Sequence, residues 1–373
     1  MSDDRPDITI PTELLPVDGR FGSGPSKVRP EAVEALMASA PTYLGTSHRQ
    51  PSVRFMVAAL RNGVAELLNL PDGYEVLLGN GGTTAFWDSL ICSFIDERSE
   101  HLVFGEFSSK FAAAVRAAPH LEDPVVVESE PGTHPDVEVR DDVDVYALTH
   151  NETSTGVAME MERPPGEALV AVDATSAAGG MRFDPAAVDV YYFAPQKCLA
   201  SDGGLWIAAC SPAAIQRIEA IAASGRWLPP SLDLRIALEN SRKDQTYNTP
   251  GLATVFLAAH QVEWLCQQGG LEWAARRCDE SARILYGWAE AGDATEPFVK
   301  DPAMRSPVVG TIDFEGVDAP TIAGVLRANG ILDTEPYRKL GRNQLRIALY
   351  PAIDPADVEA LTRCIDHVVE RLS

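Results

Sequence analysis

Between residues 75 and 209 the chain alternates short, uniformly apolar runs with stretches of helical periodicity. The runs cover 75–79, 102–104, 124–127, 143–148, 169–173, 188–193 and 205–209. A strand that is apolar at nearly every position, rather than every second one, has both faces covered. These runs therefore predict a mostly parallel sheet packed between helices, an α/β fold. Upstream, Val33, Leu36 and Met37 suggest a helix over 30–40 opened by Pro30 and stopped by Pro41, and 52–68 reads as a longer amphipathic helix. Asn80-Gly81-Gly82 then leads into a helix running to Ile95. Past residue 265 the pattern becomes helix (271–289), strand (308–314), helix (319–328), strands (331–336 and 344–350) and helix (356–372), the signature of a smaller α/β domain on an antiparallel sheet. The expected organisation is an extended arm over 1–20, punctuated by Pro6, Pro11 and Pro16, a large domain over 21–265 and a small C-terminal domain over 266–373.

Doubly covered sheets bind ligands at the carboxyl ends of their strands, so chemistry is sought there. The 373 residues carry 31 Lys and Arg against 54 Asp and Glu, a formal net charge of −23. That balance argues against nucleic acid or an acidic membrane as partner, and it means that an anionic substrate must be drawn by a local arginine cluster. The six cysteines are all at least twelve positions apart, which excludes a CxxC metal or redox pair. With an acidic, polar start and no apolar span, the expected setting is cytoplasmic. His101, His120, His134, His150, His260 and His367 lack metal-ligand spacing, and no metal is expected. Trp87, Trp264 and Trp273 sit at helical spacing and read as core.

The richest segment is Tyr191-Tyr192-Phe193-Ala194-Pro195-Gln196-Lys197, a buried strand running into a lysine. Desolvation there lowers the ammonium pKa and frees the amine for Schiff-base formation, whereas a lysine merely leaving a strand end would stay solvated. Asp173 ends the preceding apolar strand, 24 positions earlier. It could hold a pyridinium nitrogen, or simply cap the Ala174-Thr175-Ser176 turn. Gly81-Gly82-Thr83-Thr84 suits a phosphate at a helix N-terminus, and equally an ordinary helix cap. Ser47-His48-Arg49, in a loop between helices, could clamp an oxyanion or be plain solvated loop.

Taken in order, these segments, with Asn151-Glu152-Thr153 and Tyr247-Asn248-Thr249-Pro250, resemble the phosphoserine aminotransferases, class V enzymes of pyridoxal-phosphate fold type I. The resemblance runs from Phe21-Gly22-Ser23-Gly24-Pro25 to the Arg346-Ile347-Ala348-Leu349-Tyr350 strand. It implies Lys197 as Schiff-base lysine and proton shuttle, and Asp173 as partner of the ring nitrogen. Thr153 would meet the ring hydroxyl, Phe107 the ring face (where the family usually has Trp), and Thr83, Thr84 and Gln196 the cofactor phosphate. Asn248 and Thr249 would reach that phosphate from the other subunit, implying a homodimer with shared sites. His48 and Arg49 would grip the substrate's distal phosphate or carboxylate and Arg346 its α-carboxylate; Arg338 and Arg342 both qualify as a further phosphate contact. The implied reaction moves the amino group of L-glutamate to 3-phosphohydroxypyruvate. A related phosphorylated 2-oxo acid of vitamin B6 synthesis would fit the same clamp. A serine or alanine:glyoxylate aminotransferase is the neighbouring alternative, and it needs no phosphate clamp.

Overall fold

The computed structural model describes residues 6–372. Its strands are β1 (Glu75–Asn80), β2 (Ser99–Val103), β3 (Val125–Glu128), β4 (Val145–Thr149), the short hairpin pair β5 (Asn151–Glu152) and β6 (Val157–Ala158), β7 (Leu169–Asp173), β8 (Val190–Phe193), β9 (Leu205–Cys210), β10 (Thr295–Pro297), β11 (Val309–Phe314) and β12 (Gln344–Ala348). The helices are α1 (Pro30–Tyr43), α2 (Pro51–Leu67), α3 (Thr83–Ser93), α4 (Glu106–Arg116), α5 (Pro212–Ala223), α6 (Leu234–Ser241), α7 (Leu252–Gln268), α8 (Gly270–Ala291), α9 (Ala319–Ala328) and α10 (Pro355–Leu372).

Seven strands form the large sheet in the order β1-β9-β8-β7-β4-β2-β3. The run from β3 to β8 is parallel, and β9 and β1 close one edge antiparallel. The pleat sends alternate residues to opposite faces. Leu77, Ala147, Ala171, Tyr192 and Ala208 enter a core with Phe86 and Leu90 of α3, Phe111 of α4 and Ile218 of α5. Their neighbours Leu78, Leu148, Val172, Tyr191 and Ile207 enter the other core, with α2, α7 and the C-terminal unit. This double burial is why the strands read as unbroken apolar runs.

Two expectations need correction. First, α1 runs through Pro41 to Tyr43. Pro41 lacks only its own N–H, and the ladder resumes with Leu44 N to Ala40 O at 3.1 Å, so a proline this near the end costs one bond rather than the last turn. Second, 331–336 is no strand of the small sheet, whose order is β10-β11-β12, all antiparallel. Leu332 instead makes an isolated parallel bridge with Arg20. Leu332 N donates to Gly19 O at 2.7 Å, Phe21 N to Leu332 O at 3.2 Å and Ala348 N to Phe21 O at 3.0 Å. The arm thus lies in the place a further strand would take, and Ile10 N and Val17 N are held by the side chains of Asn329 and Asp357. Near the expected domain boundary at 265, α7 runs to Gln268 and the chain turns into α8 at Gly269, whose φ of +125° favours glycine. Among the described residues no helix is long and apolar enough to cross a membrane.

Candidate active site

The carboxyl ends of β4, β7 and β8 open on the same side, and a cavity of about 380 Å³ lies there. Thr83, Thr84, Phe107, Thr153, Asp173, Gln196 and Lys197 all line it, joined by Gly24, Trp87, Asn151 and Thr175. They come from the arm, the first turns of α3 and α4, and the segments that end or follow β4, β7 and β8.

Lys197 follows β8 by four residues and is 8% exposed. Its Nζ donates to Ser23 O at 2.5 Å. Burial, reinforced by the positive charge of Arg346, lowers the Lys197 pKa to about 8. The approach of the arm leaves no room for a side chain: a Cβ on Gly24, whose φ is +147°, would lie 2.1 Å from Nζ.

Asp173 ends β7 and is buried. Its Oδ1 accepts from Thr175 N at 2.9 Å and Thr175 Oγ1 at 2.5 Å, and its Oδ2 from Trp87 Nε1 at 3.1 Å. Burial outweighs these bonds and pushes the carboxyl up to about 6. Because Thr175 gives its proton to Asp173, the 2.7 Å contact between Thr83 and Thr175 must have Thr83 as donor. Thr83 is therefore tied into a relay toward Asp173, while Thr84 is exposed at the mouth. The N-terminus of α3 has no side-chain cap, so its first N–H groups are open to an anion.

Thr153 Oγ1 donates to Ser176 Oγ at 2.7 Å, and Asn151 Nδ2 to the same oxygen at 2.8 Å. Arg346 on β12 reaches Thr153 O at 3.3 Å and lies 5.1 Å over the Tyr337 ring. Burial lowers its pKa from the ordinary arginine value. Asn151 Oδ1, Gln196 Oε1 and Arg346 Nε are buried without a hydrogen-bond partner, although buried polar atoms are ordinarily satisfied. A polar ligand would meet that need.

Other expected site residues stand apart. His48, Arg49, Asn248 and Thr249 line no part of the cavity. They form their own surface group, with Thr249 Oγ1 and His48 Nδ1 3.0 Å apart and Asn80 Nδ2 donating to Thr249 O at 3.0 Å. Arg338 is exposed. Arg342, expected as a phosphate contact, is bound elsewhere: its Nη2 lies 2.5 Å from Asp313 Oδ2, its guanidinium covers Phe298, and it borders a separate cavity of about 510 Å³. Asp313 holds it from β11, outside the cavity that Lys197 lines.

Trp87 is core as expected, but its part in the site is what sequence reasoning missed. It is core, 4% exposed and stacked on Phe111, yet it also holds Asp173. Its position one helical turn after Thr83, on the same face of α3, was the available signal. Asn151, Thr175 and Ser176 gave no comparable sign, because small polar residues beside a turn have ordinary uses.

The family model described as aminotransferase class-V matches residues 21–361. A phosphoserine aminotransferase of Nocardioides sp. is 60% identical over 370 residues, covering 98% of this chain and 99% of its own length. Among solved structures, a phosphoserine aminotransferase from Cytophaga hutchinsonii superposes with a TM-score of 0.87 at 24% identity, covering 96% of this chain and 100% of that one. Another, from Bacillus circulans subsp. alkalophilus, gives 0.83 at 21% identity, with 95% and 99% covered. At those identities the likeness shows a shared fold.

Proposed function

The chain belongs to the aminotransferase class-V family, and on that footing we propose that it transfers the amino group of L-glutamate to 3-phosphohydroxypyruvate with pyridoxal phosphate as cofactor. One observation carries the reading: a buried lysine with a lowered pKa shares a 380 Å³ cavity with a buried aspartate held by Trp87 and Thr175. That volume lies within the range of small-molecule sites, about 300–1,000 Å³.

The residues fit the cofactor. Lys197 would hold its aldehyde carbon, Asp173 its ring nitrogen, Phe107 its ring face and Thr153 its ring hydroxyl. Thr84, Gln196 and the open N-terminus of α3 would hold its phosphate. When bound, pyridoxal phosphate supplies an electron sink for the pair left when a Cα–H bond breaks. The chain does the rest. Lys197, neutral in a usable fraction near pH 8, takes the proton from the substrate Cα and returns it on the other side of the exchange. Ser23 O keeps its amine aimed at the cavity. Arg346, with a free Nε, takes the α-carboxylate of either substrate.

The distal phosphate needs a second cationic pole, and His48 and Arg49 supply it to the partner's cavity in a homodimer. Three features support that assembly. His48, Arg49, Asn248 and Thr249 cluster outside the cavity; Val33, Met37, Leu44 and Phe55, on and beside the neighbouring α1 and α2, are exposed apolar residues; and Trp227 and Tyr247 are exposed as well. Six free cysteines, four of them buried, support a cytoplasmic setting.

The test is a pair of half-reactions. The protein is loaded with pyridoxal phosphate, converted with glutamate, and then offered 3-phosphohydroxypyruvate, its dephosphorylated analogue or glyoxylate. The phosphorylated acid should react fastest, and Lys197→Ala should lose both the visible absorbance and the turnover. Equal or faster reaction with glyoxylate would overturn the substrate assignment in favour of a glyoxylate-type enzyme.

A further inference from the structure

Of Asn151-Glu152-Thr153, the outer two residues line the cavity and the middle one does not. Glu152 is 0% exposed. A carboxylate cut off from water needs donors, and it finds them at the start of α4. Oε2 accepts from Phe107 N at 3.1 Å, Ser108 N at 3.0 Å and Ser108 Oγ at 3.0 Å. Oε1 accepts from Ser154 N at 3.2 Å and Ser154 Oγ at 2.7 Å. Ser154 Oγ in turn accepts from Glu106 N at 3.0 Å. The first N–H groups of a helix have no acceptor within it. Here those of Glu106, Phe107 and Ser108 are met by a hydroxyl and a carboxylate from a different segment. The residue before the helix, Gly105, offers no side chain, and a Cβ there would lie 2.3 Å from Glu152 Cγ.

We propose that Glu152 is a positioning residue for the reaction: it docks the α4 terminus so that the Phe107 ring faces the cavity, and it supplies a fixed buried negative charge to Lys197 and Arg346. Arg346 Nη1 donates to O of Thr153, the next residue, at 3.3 Å, and both chain neighbours of Glu152 line the cavity with Lys197 and Asp173, so that the charge favours the protonated forms of both cations and disfavours ionisation of Asp173. The other groups acting on Lys197 are Arg346 from β12, which opposes its protonation, and Asp173 from β7 and the adjacent Cys198, which favour it. The docking half stands on hydrogen bonds alone; the charge half rests on reading the cavity as a pyridoxal phosphate site.

The experiment has one arm for each half. In the protein without added cofactor, Glu152→Gln should speed amide exchange of residues 106–108 by at least about tenfold, as loss of a helix cap does; unchanged exchange overturns the docking role. In the second arm, visible absorbance follows capture of pyridoxal phosphate as a function of pH. Glu152→Gln should move the midpoint down by about half a pH unit or more, whereas Glu152→Asp, which keeps the charge, should leave it in place while speeding exchange. An unmoved midpoint in Glu152→Gln overturns the charge role. If Glu152→Gln does not fold, Glu152→Asp decides, and wild-type exchange in it overturns the proposal. Failure of the wild-type protein to capture the cofactor would refute the functional reading and the charge role, with the exchange arm still judging the docking role.

Discussion

At the scale of single residues, two titrations follow from burial. Lys197, held near 8, is about one-tenth neutral at pH 7 and about nine-tenths neutral at pH 9. Capture of pyridoxal phosphate should therefore accelerate by about tenfold across that interval, measured by stopped-flow absorbance; a flat profile would show that the amine is not desolvated. Asp173 gives the opposite handle. Its carboxyl is raised from 3.8 to about 6, so the empty fold prefers it neutral. The stability it contributes is present below the unfolded pKa and is lost as pH rises from about 4 to 6. The stability of Asp173→Asn relative to wild type should rise over that window by on the order of 2–3 kcal/mol and stay level above it, as read by denaturant unfolding without cofactor. Lys197 and Asp173 were legible in the sequence because each ends an apolar strand or the loop just beyond it. Trp87 was legible only as core, since nothing in a sequence says that a buried indole also donates.

At the scale of elements, the strands were legible because a doubly covered sheet is apolar throughout, and β7 was read to the residue. The segment 331–336 was misread for a physical reason. Its backbone bonds mainly to the arm around Arg20 and touches β12 once, where Arg346 N donates to Thr334 O at 3.0 Å, and local pattern carries no information about a partner more than three hundred residues away. The arginines of the last third divide by element in the same way. Arg346 sits inside β12 and points to Thr153, while Arg342 precedes it and is held by Asp313. Arg342→Ala should leave turnover within about twofold and cost about 1–3 kcal/mol of stability, because Asp313, only 9% exposed, loses its guanidinium and keeps Gln344 Nε2 at 2.9 Å as side-chain donor. Arg346→Ala should lower kcat/KM for both substrates by about a hundredfold, since both carry the α-carboxylate. A loss restricted to one substrate would refute that assignment.

At the scale of the whole molecule, the surface group of His48, Arg49, Asn248 and Thr249 is what the proposed homodimer would bring to a partner's cavity. The role proposed for them, in another chain's cavity, is one that neither a single chain's sequence nor its fold can place. Lys197→Ala and Arg49→Ala should each be nearly inactive alone, yet mixing them under conditions that exchange subunits should restore about a quarter of wild-type turnover: half of the molecules form mixed pairs, each with one intact cavity. No recovery would mean that Arg49 serves its own chain's cavity. Replacing Phe55, 71% exposed, with Asp should shift the protein toward monomer in sedimentation and remove activity with it.

Ser23 O receives two donors, Lys197 Nζ and, at 2.9 Å, Tyr350 OH. The stretch that carries it is anchored by Phe21 to Ala348 and Leu332. Residues of the arm thus wait for residues made more than three hundred positions later before the lysine between them has its seat. A chain emerging from the ribosome can assemble the large sheet early, but the Lys197 amine gains a settled position only once β12 is out and the arm has been zipped against it.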